Sequence, residues 1–494
     1  MKRLAIVLLS LTVTIGTLVS CSVTKHCNEP DITMPKEIAE GLRTDSLTIA
    51  DMEWWEFYGD STLCYIIERT LENNKDILAA AARVERMRET YRIARAAQYP
   101  SITGLVSADY ETNDYYQEPS SRDPEFSAKA TLSWELDLWG NLRWAKRKGN
   151  AEYLSSLEAW RAMHMTLVAE VAEAYFELMA LDNELAIVQR TLITRMEGID
   201  QARLRFEGGL TSETVYQQAQ VEYASTATLI PDLERKIEVT ENRIALLMGE
   251  FPNLDVGRKK MDIEVDMPEY VPVGLPSELL QRRPDVRDSE QQLRAAMAEA
   301  GMAYADRFPR LKFSLTGGLE NDEIRGFLQS PFSYAIGSLT SPIFSFGQKQ
   351  ARYRAALAAY EEARLAYEKK VLEVFNEANN AVITYRNARR TAALKLELRD
   401  AALKYVDLAH LQYRAGSINY IDVLDAQRLY FDAQIGLSNA VRDEHIALVE
   451  LYKALGGGWD IDAMPDPITD PSKTPKDKPT KNESQAVADT DSVE

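Results

Sequence analysis

An internal repeat limits this fold more than any other feature. The stretch 203–220, RLRFEGGLTSETVYQQAQ, returns at 410–427 as HLQYRAGSINYIDVLDAQ. Phe206 aligns with Tyr413, Gly209 with Gly416, and Ala219-Gln220 with Ala426-Gln427, always 207 residues apart. The same offset pairs Trp139-Gly140 with Phe346-Gly347, and Gly249 with Gly456. A constant offset across several elements means two copies of one supersecondary unit.

Each copy changes periodicity in the same order. Ile66, Ile67, Ile77, Leu78, Ala81 and Val84 recur at helical spacing over 61–98, with an interruption expected at Asn73-Asn74-Lys75-Asp76. The second copy restarts its helix at Arg282-Arg283-Pro284-Asp285-Val286, where Pro284 suits a first helical turn. Tyr99-Pro100 and Phe308-Pro309 then end the helices and open extended runs. Strict alternation marks strands over 102–112, 126–138 and 311–319. A fourth run, 332–345, changes phase after Ile336 and contains Pro342, which predicts a bulge or an edge. The polar stretches 113–125 and 320–331 read as exposed loops.

Long helices follow, roughly 140–205 and 347–413, neither containing proline. At about 1.5 Å per residue each spans roughly 100 Å. Tyr353, Tyr360, Tyr367, Val374 and Ala381 recur every seven residues, beside Leu357, Val371, Ala378, Tyr385 and Ala392, with Arg364 breaking the second series. Heptads of this kind indicate coiled-coil packing. After tight turns the chain returns over 211–249 and 419–455. Thr211 or Ser212 is expected to cap the first return and Asn419 the second, and Gly249 and Gly456 to stop them.

A net charge of −19 argues against nucleic acid as a partner. No stretch of the mature chain reaches 18 apolar residues, which excludes a transmembrane helix but not a membrane β-barrel. Four histidines without metal-ligand spacing give no metal site. No nucleophile–base pair or cofactor loop is present, so neither an enzyme nor a cofactor is expected. Lys2, Arg3 and the apolar Leu4–Val19 read as an export signal. It ends at Leu18-Val19-Ser20-Cys21, which resembles a lipobox and marks Cys21 for lipidation; Ser20 departs from the usual Gly or Ala. Cys27 and Cys64 are assigned no role.

These signals divide the chain into a signal peptide (1–20), a lead segment (21–59) and a first repeat (60–250) with hairpin 101–139 and tip 206–212. A linker (251–275) follows, then a second repeat (276–457) with hairpin 310–346 and tip 413–419, and a disordered polar tail (458–494). Trp54, Trp55, Phe57 and Tyr58 are expected to dock the lead onto the helices. Four strands with one apolar face cannot stand alone, and closed membrane barrels need about eight or more. Three copies would supply twelve, which argues for a trimer sharing one barrel. A hairpin lying on its own helices and a plain coiled-coil rod are the competing shapes; the alternating strands disfavour the rod.

The motifs R-R-P-D-V at 282–286, Y-R-A-G at 413–416, L-D-A-Q-R at 424–428 and L-Y-K-A-L-G-G-G-W at 451–459 resemble the TolC-like outer-membrane factors. Within that family they are most similar to its lipidated, OprM-type branch. The resemblance covers about 45–460. It implies a mainly α fold with a membrane β part: a homotrimer whose twelve-stranded barrel continues into a twelve-helix tunnel through the periplasm. The implied function is the exit channel of a tripartite efflux pump, with a periplasmic adaptor and an inner-membrane RND pump as partners and outer-membrane lipid around the barrel. A type I secretion duct is the nearest alternative. The family's gate carries over to Ile421, Asp425 and Arg428, with Arg428 implied to tie a neighbouring helix. These three share one helix face by spacing, and the first repeat offers Thr214, Gln218 and Val221 instead. The turns Gly208-Gly209 and Ala415-Gly416 are the implied adaptor contacts.

Overall fold

The computed structural model describes residues 48–113, 116, 121–252, 256–262, 271–274, 276–341, 343–459 and 464–465, with Cys27, Pro30 and Ile32. The signal peptide, Cys21, Pro342 and nearly all of the tail lie outside the described residues.

Helix α1 (Trp54–Tyr58) precedes α2 (Ser61–Asn73) and α3 (Lys75–Ala96). The interruption falls at Asn74, as its side-chain chemistry suggests. Its Oδ1 accepts the Asp76 and Ile77 amides at 2.9 and 3.3 Å, and its Nδ2 donates to Leu247 O at 2.9 Å. Strands β1 (Ser101–Asn113) and β2 (Ser121–Leu136) follow, then the 67-residue helix α4 (Asn141–Glu207). The second half runs α7 (Pro276–Arg282), α8 (Pro284–Ala305), β3 (Arg310–Asn321), β4 (Pro331–Thr340), the 67-residue α9 (Gln348–Arg414) and α10 (Tyr420–Ala454).

Three expectations change. The first return is two helices, α5 (Glu213–Ala227) and α6 (Leu229–Leu247), rather than one. Pro231 lies in the first turn of α6, where it has no N–H for the carbonyl of Ala227. Strand β2 starts at Ser121, inside the expected loop. Pro124 is tolerated there because β3 pairs with β2 only over 126–136, so 121–125 is locally an edge. Finally, Gly458 and Trp459, expected to begin the tail, pack on the body. Gly458 O lies 3.2 Å from His164 Nδ1, and the Arg161 and Arg287 guanidinium groups stand 5.4 and 5.7 Å from the Trp459 ring.

The strands form one antiparallel sheet in the order β1-β2-β3-β4, so the two halves join through β2–β3 and leave β1 and β4 as edges. One face carries the rows Ile102–Leu132–Leu315–Ala335 and Val106–Ala128–Leu319–Pro331. Val106 is 83% exposed. The other face carries hydroxyls: Ser107 to Ser127 at 2.8 Å, and Thr131 to Thr316 at 3.0 Å. Register along β4 is unbroken to Thr340, so the phase change produces no bulge; Phe332, Tyr334 and Ile336 fall on the hydroxyl face.

The core sits at the waist of the helices. Tyr175, Leu178 and Val188 of α4 are buried against Leu63 and Ile67 of α2, Ile244 of α6, Val371 and Val374 of α9, and Leu451 and Tyr452 of α10. The described parts of the lead and the linker pack on it. Thr48 bridges Val273, Phe57 stacks on Tyr452 at 4.2 Å, and Trp54 is buried while Trp55 stays half-exposed. The heptad tyrosines Tyr353, Tyr360 and Tyr385 are buried. Among the described residues no helix is long and apolar enough to cross a membrane.

Candidate functional site

Both long helices end in the same turn. After α4, the amides of Gly208, Gly209 and Leu210 donate to the carbonyls of Leu204, Phe206 and Arg205. After α9, those of Ala415, Gly416 and Ser417 donate to Leu411, Tyr413 and Gln412. The reversal needs a left-handed residue, supplied by Gly209 at φ 71° and Gly416 at φ 74°. Open space surrounds the position of a Cβ at either glycine, so conformation rather than crowding selects glycine. The returns restart at Ser212 and Asn419, and the Asn419 amide donates to Asp422 Oδ2 at 2.9 Å.

A small apolar cluster holds the two turns together: Ala202, Ala219, Ala409, Tyr420, Val423 and Ala426. A polar tie joins the halves. Arg205 Nη1 donates to the Tyr413 hydroxyl at 2.6 Å, and its guanidinium lies 4.8 Å from the Tyr413 ring. Tyr413 in turn packs at 5.4 Å on Tyr420, whose phenol is pushed up by burial and by Tyr413. His410 Nε2 lies 3.1 Å from Gln427 Nε2.

The first turns of α10 present the three expected gate residues. Val423 and Ala426 are fully buried and fix which side of the helix faces inward. Ile421 projects away and is 51% exposed. Arg428 Nη2 donates to Asp425 Oδ1 at 2.6 Å, with both side chains about half exposed. The partner of Arg428 within one chain is therefore on its own helix, one turn back, rather than on the neighbouring helix. An exposed pair at this spacing holds little, under about 1 kcal/mol, so either group can be recruited by another partner at small cost. In the first half, Thr214 and Val221 stand exposed at the equivalent places and carry no charge.

Two contacts between distant parts of the chain were not legible in the sequence. The Arg205–Tyr413 tie spans the repeat boundary, and no local pattern announces it. Arg283, read as part of a helix start, is a buried node. It chelates Asp285 at 2.9 and 2.8 Å, and also reaches Glu377 at 2.7 Å and Ala454 O at 3.0 Å. Among the described residues no cluster of metal-ligating side chains occurs.

The outer membrane efflux protein family matches this chain twice, at 66–250 and 275–457. The solvent efflux pump outer membrane protein SrpC of Pseudomonas putida is 30% identical over 453 residues, covering 89% of this chain and 96% of its own length. The cation efflux system protein CusC of Escherichia coli O6:H1 is 28% identical over 453 residues, covering 90% and 96%. Among solved structures, the outer-membrane channel OprN superposes with a TM-score of 0.80 at 26% identity, over 87% of this chain and 99% of that one. Helix, hairpin, long helix and turn, given twice and matched twice, make this chain a member of the outer membrane efflux protein family, with the TolC-like fold of a transport conduit rather than an enzyme.

Proposed function

We propose that three copies of this chain assemble into the exit duct of a tripartite efflux pump, anchored by lipid on Cys21. The observation that carries the reading is the sheet. Over β1–β3 it is apolar on one face and hydroxyl-lined on the other, with Phe332, Tyr334 and Ile336 of β4 on the hydroxyl side, both edges open and two 67-residue helices running from its base. Twelve strands from three chains would close the edges. The apolar face would then meet lipid, and the hydroxyls would line the lumen. The helices would cross the periplasm and present the tip turns, Gly208-Gly209 and Ala415-Gly416, to the helical hairpins of an adaptor joined to an RND pump. SrpC is named for solvents and CusC for cations, at nearly equal identity, which supports a duct whose cargo is chosen elsewhere in the assembly.

The gate lies at the start of α10. Three-fold symmetry would turn Asp425 into a ring of carboxylates one helical turn from a ring of Ile421, on the side away from the tip, and such rings favour cations over anions. The weak Asp425–Arg428 pair leaves Arg428 free to tie an adjacent helix when the tips close. Planar-bilayer recordings test this. Wild type should give small, mostly closed currents, and the double variant Asp425→Ala/Arg428→Ala larger, stable steps. Equal conductance would move the gate elsewhere, and no steps from either folded protein would remove the channel.

A further inference from the structure

Charge is segregated along this molecule. The net charge is −19, yet α4 opens Asn-Leu-Arg-Trp-Ala-Lys-Arg-Lys and α9 opens Gln-Lys-Gln-Ala-Arg-Tyr-Arg, with no acidic residue in either run. Helix N-termini favour acidic residues, because the macrodipole is positive there. Helix stability therefore cannot be the reason for these cations. The two runs lie side by side with the end of α8. Asn141 Nδ2 donates to Met302 O at 3.1 Å, and Asp306 takes Arg310 at 2.7 Å, Arg352 at 3.2 Å and Lys349. One buried carboxylate thus serves three cations. The other acids at this level also have partners: Asp137 faces Arg143 at 3.3 Å, and Glu299 faces Lys148 at 3.0 Å. The exposed Arg147 and Arg307 lie instead over aromatic faces, Arg147 at 4.5 Å from Trp144 and Arg307 at 5.3 Å from Tyr304.

The collar lies where the apolar face of the sheet ends. Arg310 is the first residue of β3, on the hydroxyl side by register, and Gly140 and Gly347 lead straight into the two basic runs. Just beyond the strands stand Ile343, Phe344 and Phe346, at 98%, 74% and 90% exposure. Trp139 stacks on Phe308 at 4.8 Å in the same band. Between α8 and α9 a groove of about 460 Å³ is lined by alanines and Met302 together with Arg310 and Arg352 and the ion-paired Glu299 and Asp306. Apolar surface, then aromatic rings, then excess positive charge is the order in which a membrane presents acyl chains, interface and anionic headgroups.

We propose that this collar binds the anionic headgroups of phospholipids in the leaflet on the helix side of the barrel. The inference rests on the barrel reading and adds a lipid preference to it. The test is native mass spectrometry of the intact delipidated protein with phosphatidylglycerol and phosphatidylcholine offered in equal amounts. Wild type should retain phosphatidylglycerol by at least about fivefold, from roughly 1 kcal/mol per cation at an anionic surface. Arg147→Gln/Arg307→Gln/Arg354→Gln should lose the preference. These side chains are exposed and are not among those bound to Asp306, so the variant should keep its assembly state, and the loss of the Arg147 and Arg307 ring contacts should lower the melting temperature only slightly. Equal retention by wild type, or an undiminished preference in the variant, overturns the proposal. So does loss of the preference in millimolar inorganic phosphate, which would mean a site for free anions. Bilayer recordings on the same samples separate the readings: steps without a lipid preference reject the collar alone, and absence of steps rejects the barrel.

Discussion

Arg283 shows how one side chain can fasten three distant parts of a chain. Its guanidinium is buried, with Asp285 on its own helix start, Glu377 on α9 and the last carbonyl of α10 around it. Burial alone would raise the Asp285 carboxyl, but the hydrogen bonds and charge of Arg283 hold it below its ordinary value. A carboxyl depressed in the folded state contributes stability above its unfolded pKa, about 3.9, and loses it as pH falls through the folded value. Asp285→Asn should therefore cost stability at neutral pH and make the acid limb of the melting-temperature profile shallower below about pH 4. Arg283→Ala leaves the half-buried Asp285 carboxylate with only Lys370 nearby among the described residues, at 3.9 Å, and should cost about 2 kcal/mol. An unchanged thermal midpoint in Arg283→Ala would show the node to be redundant. The helix start was legible at Pro284, but the node was not, because Glu377 and Ala454 are remote in sequence and join it only when the bundle forms.

At the scale of elements, turn chemistry was the most legible part of the chain. The two tips use the same hydrogen bonds and the same left-handed glycine, as the fixed offset implied. Gly416→Ala should cost about 1 kcal/mol from the positive φ. It should also speed hydrogen exchange at the amides of 415–417 without altering that at the Gly209 turn; unchanged exchange would mean the turn tolerates a side chain. The break between α5 and α6 was equally available in Pro231 but was obscured by apolar residues that keep helical spacing on either side. Gly249 joins two demands that sequence shows only as one. It takes φ 73° at the end of α6, and a Cβ there would lie 2.5 Å from the carbonyl oxygen of Asn73. The stop signal was readable; the close approach of the first helix pair was not. At the proposed gate, the spacing of Ile421, Asp425 and Arg428 gave their shared face, while the choice of Asp425 as the partner of Arg428 is a matter of rotamers.

For the whole molecule, the strand pattern carried the most information, since it left one apolar face and two unpaired edges that nothing among the described residues covers. Lipid contact on that face has a direct test. Val106→Lys puts a charge among Ile102, Ala128 and Leu319, at a cost of about 2–4 kcal/mol near the middle of a bilayer. Thr103→Lys puts the same charge on the hydroxyl face beside Thr131. Val106→Lys should abolish membrane insertion and Thr103→Lys should leave it intact, scored by fractionation of outer membranes. The opposite pattern would turn the barrel inside out.

The two long helices contain the same number of residues, 67 each. They start from one sheet and finish in turns that share a cluster, so together they behave as a matched pair of struts. Seven residues removed from one strut alone would draw its foot up toward the sheet by about 10 Å, pulling Arg205 away from Tyr413 and tilting the end of the duct. A change of reach toward the opposite membrane therefore has to be made twice, once in each half of the chain. The duplication that built this protein also gauges its height, and it restricts changes of length to equal edits in the two copies.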